Sequence, residues 1–299
     1  MPHQIINLQN TPHLEGVIQR TVTFDSDGVS LVGTLYTPKQ ANGPHPGVVV
    51  TGAWTTVKEQ MAGTYARALA AHGYAALAFD FTGWGESGGA PRCVEDPPQK
   101  ITDIHAAVTF MAHLVEINDQ AVFGLGICAS SGYMAEVAAD NQSLRKVALV
   151  APWLHNQALA EAVYGGPEAI KSLIAAGAEE AILVGASATD DTSPMYQAPY
   201  YTEENRGLIP AWDNAFNTLS WKPWLTYDAQ VSADRLTKPL FIVGSPSIAI
   251  PACVDAYEAR MTAPLERLWL GADVTQFDFY DRADVVKASV DAVSTFFNT

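Results

Sequence analysis

A turn bounded by small residues joins a buried apolar run, residues 120–127, to a segment with helical spacing at 130–139. Cys128 lies at its centre, with Gly126 two positions before it and Ser130 two positions after it. A sharp strand-to-helix turn brings the backbone of its central residue close to its neighbours, so only small side chains fit at these two positions. The pattern therefore predicts a strained turn that presents the Cys128 thiol as a nucleophile.

The segment after this turn predicts how charge on a substrate is stabilised. A helix N-terminus lowers the pKa of a thiol and directs backbone N–H groups at developing negative charge. We expect one oxyanion donor from the N–H of Ala129 and a second from the loop at 52–55, either Ala53 or Trp54. Two alternatives stay open. Cys128 is an inert buried thiol at a tight turn, or Ser130 is the nucleophile in a shifted frame, although it would then lie inside the helix.

Apolar β-branched runs alternate with helical segments along most of the chain. Strands are predicted at 29–36, 47–51, 74–79, 120–127, 146–150, 240–243 and 266–270, and helices at 60–72, 100–114, 130–139, 252–261 and 283–297. This alternation is typical of right-handed crossovers and a mostly parallel sheet with helices on both faces. It breaks over an aromatic-rich stretch. We therefore predict an α/β core of residues 1–154 and 229–299, with a cap or lid insertion at 155–228.

The excess of acidic over basic residues limits the classes of partner that the protein is expected to bind. The 17 basic and 32 acidic residues give a net charge of −15, which disfavours nucleic acid because such binding depends on neutralising phosphates. The sequence begins without a signal peptide and has no apolar run of about 18 residues, so we expect a cytoplasmic protein with no membrane partner. Its 3 cysteines have no metal-binding spacing, which predicts reduced thiols and neither a metal nor a cofactor. Whether the chain forms a homodimer stays open.

Four segments along the chain carry a resemblance to a known superfamily. They lie at 51–60, 79–87, 126–130 and 277–281, and the second reads Phe-Asp-Phe-Thr-Gly-Trp-Gly-Glu-Ser. Together they resemble α/β-hydrolase superfamily proteins of the dienelactone-hydrolase-like and polyketide-transferase-like groups. The resemblance implies an eight-stranded sheet and acyl chemistry at an ester, lactone or thioester. It also implies that a carboxylate after the third strand, here Glu59, polarises or restrains Cys128. Capping of the next helix is the alternative role for Glu59.

The groups that would transfer the proton must come from other parts of the chain. This superfamily normally places an acid after the seventh strand and a histidine after the eighth. Here those positions fall on Pro246 or Ser247 and on Gln276, so we expect the standard triad to be absent. His155 follows the sixth strand, at the edge where parallel strands end in the active-site crevice. We expect it to act as the base or to pair with a Cys128 thiolate. A structural loop histidine is the alternative.

The aromatic residues of the insertion predict a pocket for an apolar small molecule. The residues that we expect to line it are Trp153, Trp212, Trp221, Trp224 and Gln276. The interpretation is an enzyme that acts on an ester, lactone or thioester by hydrolysis or acyl transfer, in which Cys128 attacks and His155 or Glu59 handles the proton. Two alternatives remain: a lyase or cyclase that uses only the oxyanion hole, and a binding protein that has lost its chemistry.

Overall fold

The fold is built on one large sheet. A computed structural model describes residues 3–11, 13–40 and 43–299. The strands of the main sheet are β1 Val17–Ser26, β2 Val29–Pro38, β3 His45–Thr51, β4 Ala75–Phe79, β5 Ile117–Ile127, β6 Leu144–Val150, β11 Leu240–Gly244 and β12 Leu265–Trp269. Their order across the sheet is β1-β2-β4-β3-β5-β6-β11-β12. The first two strands pair antiparallel with their neighbours, and the other pairs are parallel. The predicted α/β-hydrolase-type sheet of eight strands is therefore confirmed.

Helices cover this sheet in two groups. The helices between and after its strands are α1 Met61–Ala71, α2 Pro97–His113, α3 Ser130–Asp140, α8 Pro251–Arg260, α9 Asp278–Asp281 and α10 Ala283–Asn298. α1 packs against α10, and α2 packs against α3. The central strands are buried on both faces, as the continuous burial of β4 shows, and this explains why they are apolar at every position rather than at alternate ones.

The chain leaves the main sheet between β6 and β11. The elements of this stretch are α4 Gln157–Tyr164, α5 Pro167–Ala176, β7 Ile182–Val184, β8 Ala186–Ser187, β9 Met195–Tyr196, α6 Pro199–Thr202, β10 Ala215–Asn217 and α7 Trp221–Thr226, with 3-10 turns at Thr218–Ser220 and Ala229–Ser232. β7 pairs with β10, and β8 pairs with β9, in two small sheets of their own. Within the described ranges, no helix is long and apolar enough to cross a membrane.

Candidate active site

Cys128 occupies the turn between β5 and α3 in a strained backbone conformation. Its φ is +56°, a value that non-glycine residues rarely adopt. Its N–H donates to the Val150 carbonyl at 3.0 Å, and its own carbonyl accepts from the N–H groups of Ser131 and Trp153, each at 3.0 Å. These hydrogen bonds hold the strained residue from both sides. Strain that is fixed in this way is typical of functional positions.

The turn requires both small residues that flank Cys128, Gly126 for steric reasons and Ser130 for a hydrogen bond. A Cβ at Gly126 would lie 2.6 Å from the Ser130 carbonyl oxygen and 2.8 Å from the Ser131 Cα, so the turn excludes any larger residue there. The buried Ser130 hydroxyl donates to the carbonyl of Gly52. Ser130 therefore ties the turn to the loop after β3 and does not line the cavity beside Cys128. The geometry thus favours Cys128 over Ser130 as the nucleophile.

Three neighbouring groups oppose the effect of burial on the pKa of the Cys128 thiol. Burial raises the pKa of this thiol, and hydrogen bonding from the Tyr280 hydroxyl and from the N–H groups of Ala129 and Trp54 lowers it in part. Burial outweighs these hydrogen bonds, so the net pKa is raised rather than lowered as the helix N-terminus alone would predict. Of the two alternatives for the second oxyanion donor, the N–H of Trp54 is the one that lowers the pKa of the Cys128 thiol. The N–H of Ala53 lies 3.5 Å from the Met61 sulfur instead, which corrects the expectation for Ala53.

An apolar cavity of about 420 Å³ lies beside the Cys128 sulfur. Its size is in the range of small-molecule sites. Its walls are Trp54, Cys128, Ala129, Trp153, Tyr164, Pro194, Met195, Ala198, Tyr201, Trp224, Ser247, Ala249, Thr275, Gln276, Phe277 and Tyr280. Across the described parts of the chain, no aspartate, glutamate, histidine, lysine or arginine contributes to these walls. Among the described wall residues, the titratable side chains other than the thiol are tyrosines.

Gln276 occupies the position where the superfamily carries its histidine. Its Nε2 donates to the Ala151 carbonyl at 2.9 Å and to the Tyr280 hydroxyl at 3.0 Å, and its Oε1 accepts from the Ala249 N–H at 2.9 Å. The amide is therefore fixed in the cavity wall, where it also holds the Tyr280 hydroxyl. It cannot take up a proton near neutral pH.

His155 is buried behind two indoles rather than at the cavity. Its Nδ1 accepts from Trp153 Nε1 at 3.0 Å, so its Nε2 carries the proton and donates to the Trp224 carbonyl at 2.9 Å. Burial lowers the pKa of His155 to about 4. Because both nitrogens are taken and the ring does not line the cavity, the base role expected for His155 is corrected. The histidine instead holds two cavity-lining tryptophans.

Glu59 likewise lies away from the cavity. It forms an ion pair with Lys58 at 2.7 Å, and the same ammonium contacts Asp80 at 2.7 Å and Glu86 at 2.6 Å. The ammonium of Lys58 occupies the space among these three carboxylates, where a metal cation would otherwise bind. The helix α1 begins at Met61 with no side-chain cap. The structure therefore gives Glu59 an ion pair in place of the role expected at the thiol.

The four predicted pocket tryptophans divide into two pairs. Trp153 and Trp224 line the cavity, whereas Trp212 and Trp221 do not. Trp212 Nε1 donates to the Thr55 carbonyl at 2.7 Å. Trp221 packs against Trp54, with ring centroids 6.2 Å apart. The pocket role expected for Trp212 and Trp221 is therefore corrected, since they support the wall from behind.

Sequence reasoning missed two residues near the sulfur, Tyr280 and Glu95. Tyr280 lies only four residues after Gln276, the position where the superfamily carries its histidine, and this closeness in the sequence was an available signal. Glu95 is completely buried and accepts hydrogen bonds from the Thr55 N–H at 2.8 Å, from Lys100 Nζ at 2.7 Å and from the Tyr133 hydroxyl at 2.8 Å. No local pattern marks Glu95, because its partners come from distant segments.

The family model described as serine aminopeptidase, S33 (Hydrolase_4) matches residues 45–196, which carry β3 to β9 and the turn at Cys128. The chain belongs to this α/β-hydrolase family. The family description names a serine enzyme, whereas the turn in this chain carries a cysteine.

Known relatives agree with this membership. The uncharacterized protein YcjY of Escherichia coli (strain K12) is 28% identical and covers 90% of this chain and 94% of its own length. Thiohydrolase aneE of Aspergillus aculeatus is 30% identical over 56% of this chain and 50% of its own length. The crystal structure of hypothetical protein PA2218 from Pseudomonas aeruginosa has a TM-score of 0.84 and 24% identity, covering 100% of this chain and 99% of its own. Polyketide transferases also match. The chain is thus an α/β-hydrolase enzyme related to thiohydrolases and polyketide transferases, and the resemblance seen in its sequence is confirmed.

Proposed function

We propose that this protein transfers the acyl group of an apolar thioester onto Cys128. The observation that carries the proposal is a cysteine in the wall of an apolar cavity, beside Ala129 and Trp54, whose N–H groups lower the pKa of its thiol. N–H groups in this arrangement stabilise the oxyanion that forms when a carbonyl is attacked.

The proposed acylation balances within the site. Cys128 Sγ bonds to the carbonyl carbon, and the carbonyl oxygen takes up negative charge between the N–H groups of Ala129 and Trp54. The carbon–sulfur bond of the substrate then breaks. The Cys128 proton passes through the Tyr280 hydroxyl, which gives one proton and receives another, to the departing sulfur. The products are an acylated Cys128 and a free thiol, and no separate base is consumed.

The uncharged cavity favours a thioester over an ester or a lactone. An unperturbed thiol has a pKa near 8.5, so the thiolate that leaves a thioester is a weak base and needs little help from an acid. An ester instead releases a far more basic alkoxide, which needs a general acid. Such a group is typically worth about 10²–10⁴-fold in rate, and the described cavity walls offer no histidine or carboxyl group for this role.

The same walls select the acyl group. The indoles of Trp54, Trp153 and Trp224, together with Met195, give an apolar surface without a counter-ion. A charged acyl group would lose its hydration there without compensation. Residues 155–228 supply Tyr164, Met195, Tyr201 and Trp224 to the walls, and we regard this insertion as the cap that sets acyl specificity.

The chemistry of the cavity also determines which acceptor removes the acyl group from Cys128. Hydrolysis needs a general base to activate water. A lyase or cyclase that forms an enolate also needs a base, because it must remove a proton from carbon. A second thiol reverses the acylation step through the same proton path. Transfer to a thiol is therefore favoured over hydrolysis and over the lyase or cyclase alternative.

The test measures by chromatography how much thiol is released from octanoyl-N-acetylcysteamine. We expect release by the unaltered protein and by C93A, and none by C128A. C93A is a matched control because Cys93 is also buried but lies outside the cavity walls. Release that persists in C128A would overturn the proposal in favour of chemistry without a covalent step. Binding of the thioester with neither release nor an adduct would instead support a binding protein.

A further inference from the structure

We infer that Glu95 is a positioning residue that holds the Trp54 N–H at the oxyanion site through the neighbouring amide of Thr55. The inference rests on the proposed function and concerns how its second oxyanion donor is kept in place. Glu95 does not line the cavity, so it acts on the reaction only through the loop after β3.

The Thr55 backbone needs external support. Its φ is +60°, in the left-handed region, although threonine is β-branched and strongly disfavours this conformation. Its N–H donates to Glu95 Oε2 at 2.8 Å, and its carbonyl accepts from Trp212 Nε1 at 2.7 Å. Both polar groups of this strained residue are thus held by buried side chains. Since Thr55 follows Trp54 directly, release of the Thr55 amide would let the Trp54 N–H turn away from the sulfur.

Glu95 also connects the two halves of the oxyanion site. Its other carboxylate oxygen, Oε1, accepts from the Tyr133 hydroxyl at 2.8 Å. Tyr133 lies in α3, whose N-terminal end carries Ala129, the first oxyanion donor. One carboxylate therefore joins the loop of the second donor to the helix of the first, and it fixes the distance between them.

The charge of Glu95 is matched by a buried cation. Lys100 Nζ lies 2.7 Å from Glu95 Oε2, with exposed side-chain fractions of 2% and 0%, and it sits 4.6 Å from the centroid of the Phe81 ring. A buried ion pair of this kind contributes little net stability compared with apolar residues of the same size. Its presence here is explained by the need for a carboxylate that can accept from Thr55 and Tyr133 together.

The experiment compares two neutral replacements of the ion pair. In E95Q/K100M the amide oxygen can still accept from the Thr55 N–H, whereas in E95L/K100M no acceptor remains. For each protein, the rate of Cys128 acylation by octanoyl-N-acetylcysteamine is divided by the rate of Cys128 alkylation by iodoacetamide at the same pH. Alkylation forms no oxyanion, and the fraction of thiolate cancels in this ratio.

We expect the ratio to fall about 10- to 100-fold in E95L/K100M, since loss of one oxyanion donor costs about 10²–10³-fold. E95Q/K100M should recover most of this loss. E95D keeps the charge beside Lys100 but withdraws the oxygen from Thr55, so it should also lower the ratio, and it serves if E95L/K100M does not fold. An unchanged ratio in the folded variants would overturn the inference alone. An unaltered protein that is alkylated but never acylated would overturn the proposed function and the inference together.

Discussion

The hydroxyl of Tyr280 lowers the pKa of the Cys128 thiol, and the two side chains line the same cavity. The same hydroxyl accepts from Gln276 at 3.0 Å, so its own proton is free to point at the sulfur. Because the described walls of this cavity hold no histidine or carboxylate, we propose that the thiol proton leaves through the Tyr280 hydroxyl. It therefore connects the chemistry of the site to a single side chain.

Removal of the Tyr280 hydroxyl should slow acylation and raise the pKa of Cys128 further. The hydrogen bond from Tyr280 lowers that pKa, so in Y280F the rise of iodoacetamide alkylation with pH should move to higher pH. We expect the thioester acylation rate to fall at least about 10-fold, because proton transfer contributes about 10²–10⁴-fold in such sites. Y257F removes another buried tyrosine hydroxyl, which pairs with Ser232 at 2.8 Å, and should leave both quantities unchanged. An unshifted alkylation profile in Y280F would contradict the proposed proton route.

A serine at position 128 should be inactive. Serine is a weak nucleophile unless an adjacent base activates it, and the described cavity walls hold no such base. We expect C128S to lose at least about 100-fold in thioester acylation, measured as thiol release under single-turnover conditions. Activity in C128S comparable to that of the unaltered protein would mean that a base reaches the site.

His155 should be dispensable for chemistry. Glutamine at this position can still accept from Trp153 Nε1 and donate to the Trp224 carbonyl, as the histidine does. The acylation rate of H155Q should therefore stay within about threefold of the unaltered protein, whereas loss of a general base costs about 10²–10⁴-fold. A loss of that size in folded H155Q would restore His155 as the base.

The same substitution should change how stability depends on pH. Burial lowers the pKa of folded His155 to about 4 from 6.5, so the unfolded chain binds more protons between these values, and stability falls as pH falls through this window. The effect amounts to about 3 kcal/mol at full protonation of the unfolded state. Urea unfolding at pH 7 and pH 4.5 should show a smaller acid loss in H155Q, because glutamine does not titrate. Equal losses in both proteins would contradict the burial of a neutral imidazole.

The turn at Cys128 should not tolerate a side chain at Gly126. A Cβ there would meet backbone atoms of Ser130 and Ser131 at 2.6 and 2.8 Å, and backbone cannot move aside as a flexible side chain can. We expect G126A to lower the free energy of unfolding by about 2 kcal/mol or more. G88A is the matched control, because a Cβ at Gly88 would have its nearest contact at 3.4 Å. G16A would not serve, because Gly16 has a positive φ. Equal stability of G126A and G88A would contradict this account of the turn.

Much of the fold followed from the sequence because the central strands are buried on both faces. A run such as Val48, Val49 and Val50 predicts its strand without reference to distant residues. The turn at Cys128 was equally local, because its small neighbours are required by its own backbone. These features could be predicted since short-range sterics and burial decide them.

The partners of the thiol could not be predicted in the same way. Position at the end of β6 suggested that His155 reaches the cavity. Its Nε2–H instead donates a hydrogen bond to the carbonyl of Trp224, 69 residues away in sequence. Glu95 has no local signal either, since Thr55 and Tyr133 are 40 and 38 residues away. Which tryptophans face the cavity likewise depends on how the insertion folds over the sheet. These outcomes are set by tertiary packing.

The most direct test of the account is the intact mass of the protein after brief incubation with octanoyl-N-acetylcysteamine, followed by peptide mapping. We predict the addition of one octanoyl group per chain, on the peptide that contains Cys128, with Cys93 and Cys253 unmodified and no adduct in C128A. An unmodified protein that still releases the thiol, or an adduct on a residue other than Cys128, would contradict it.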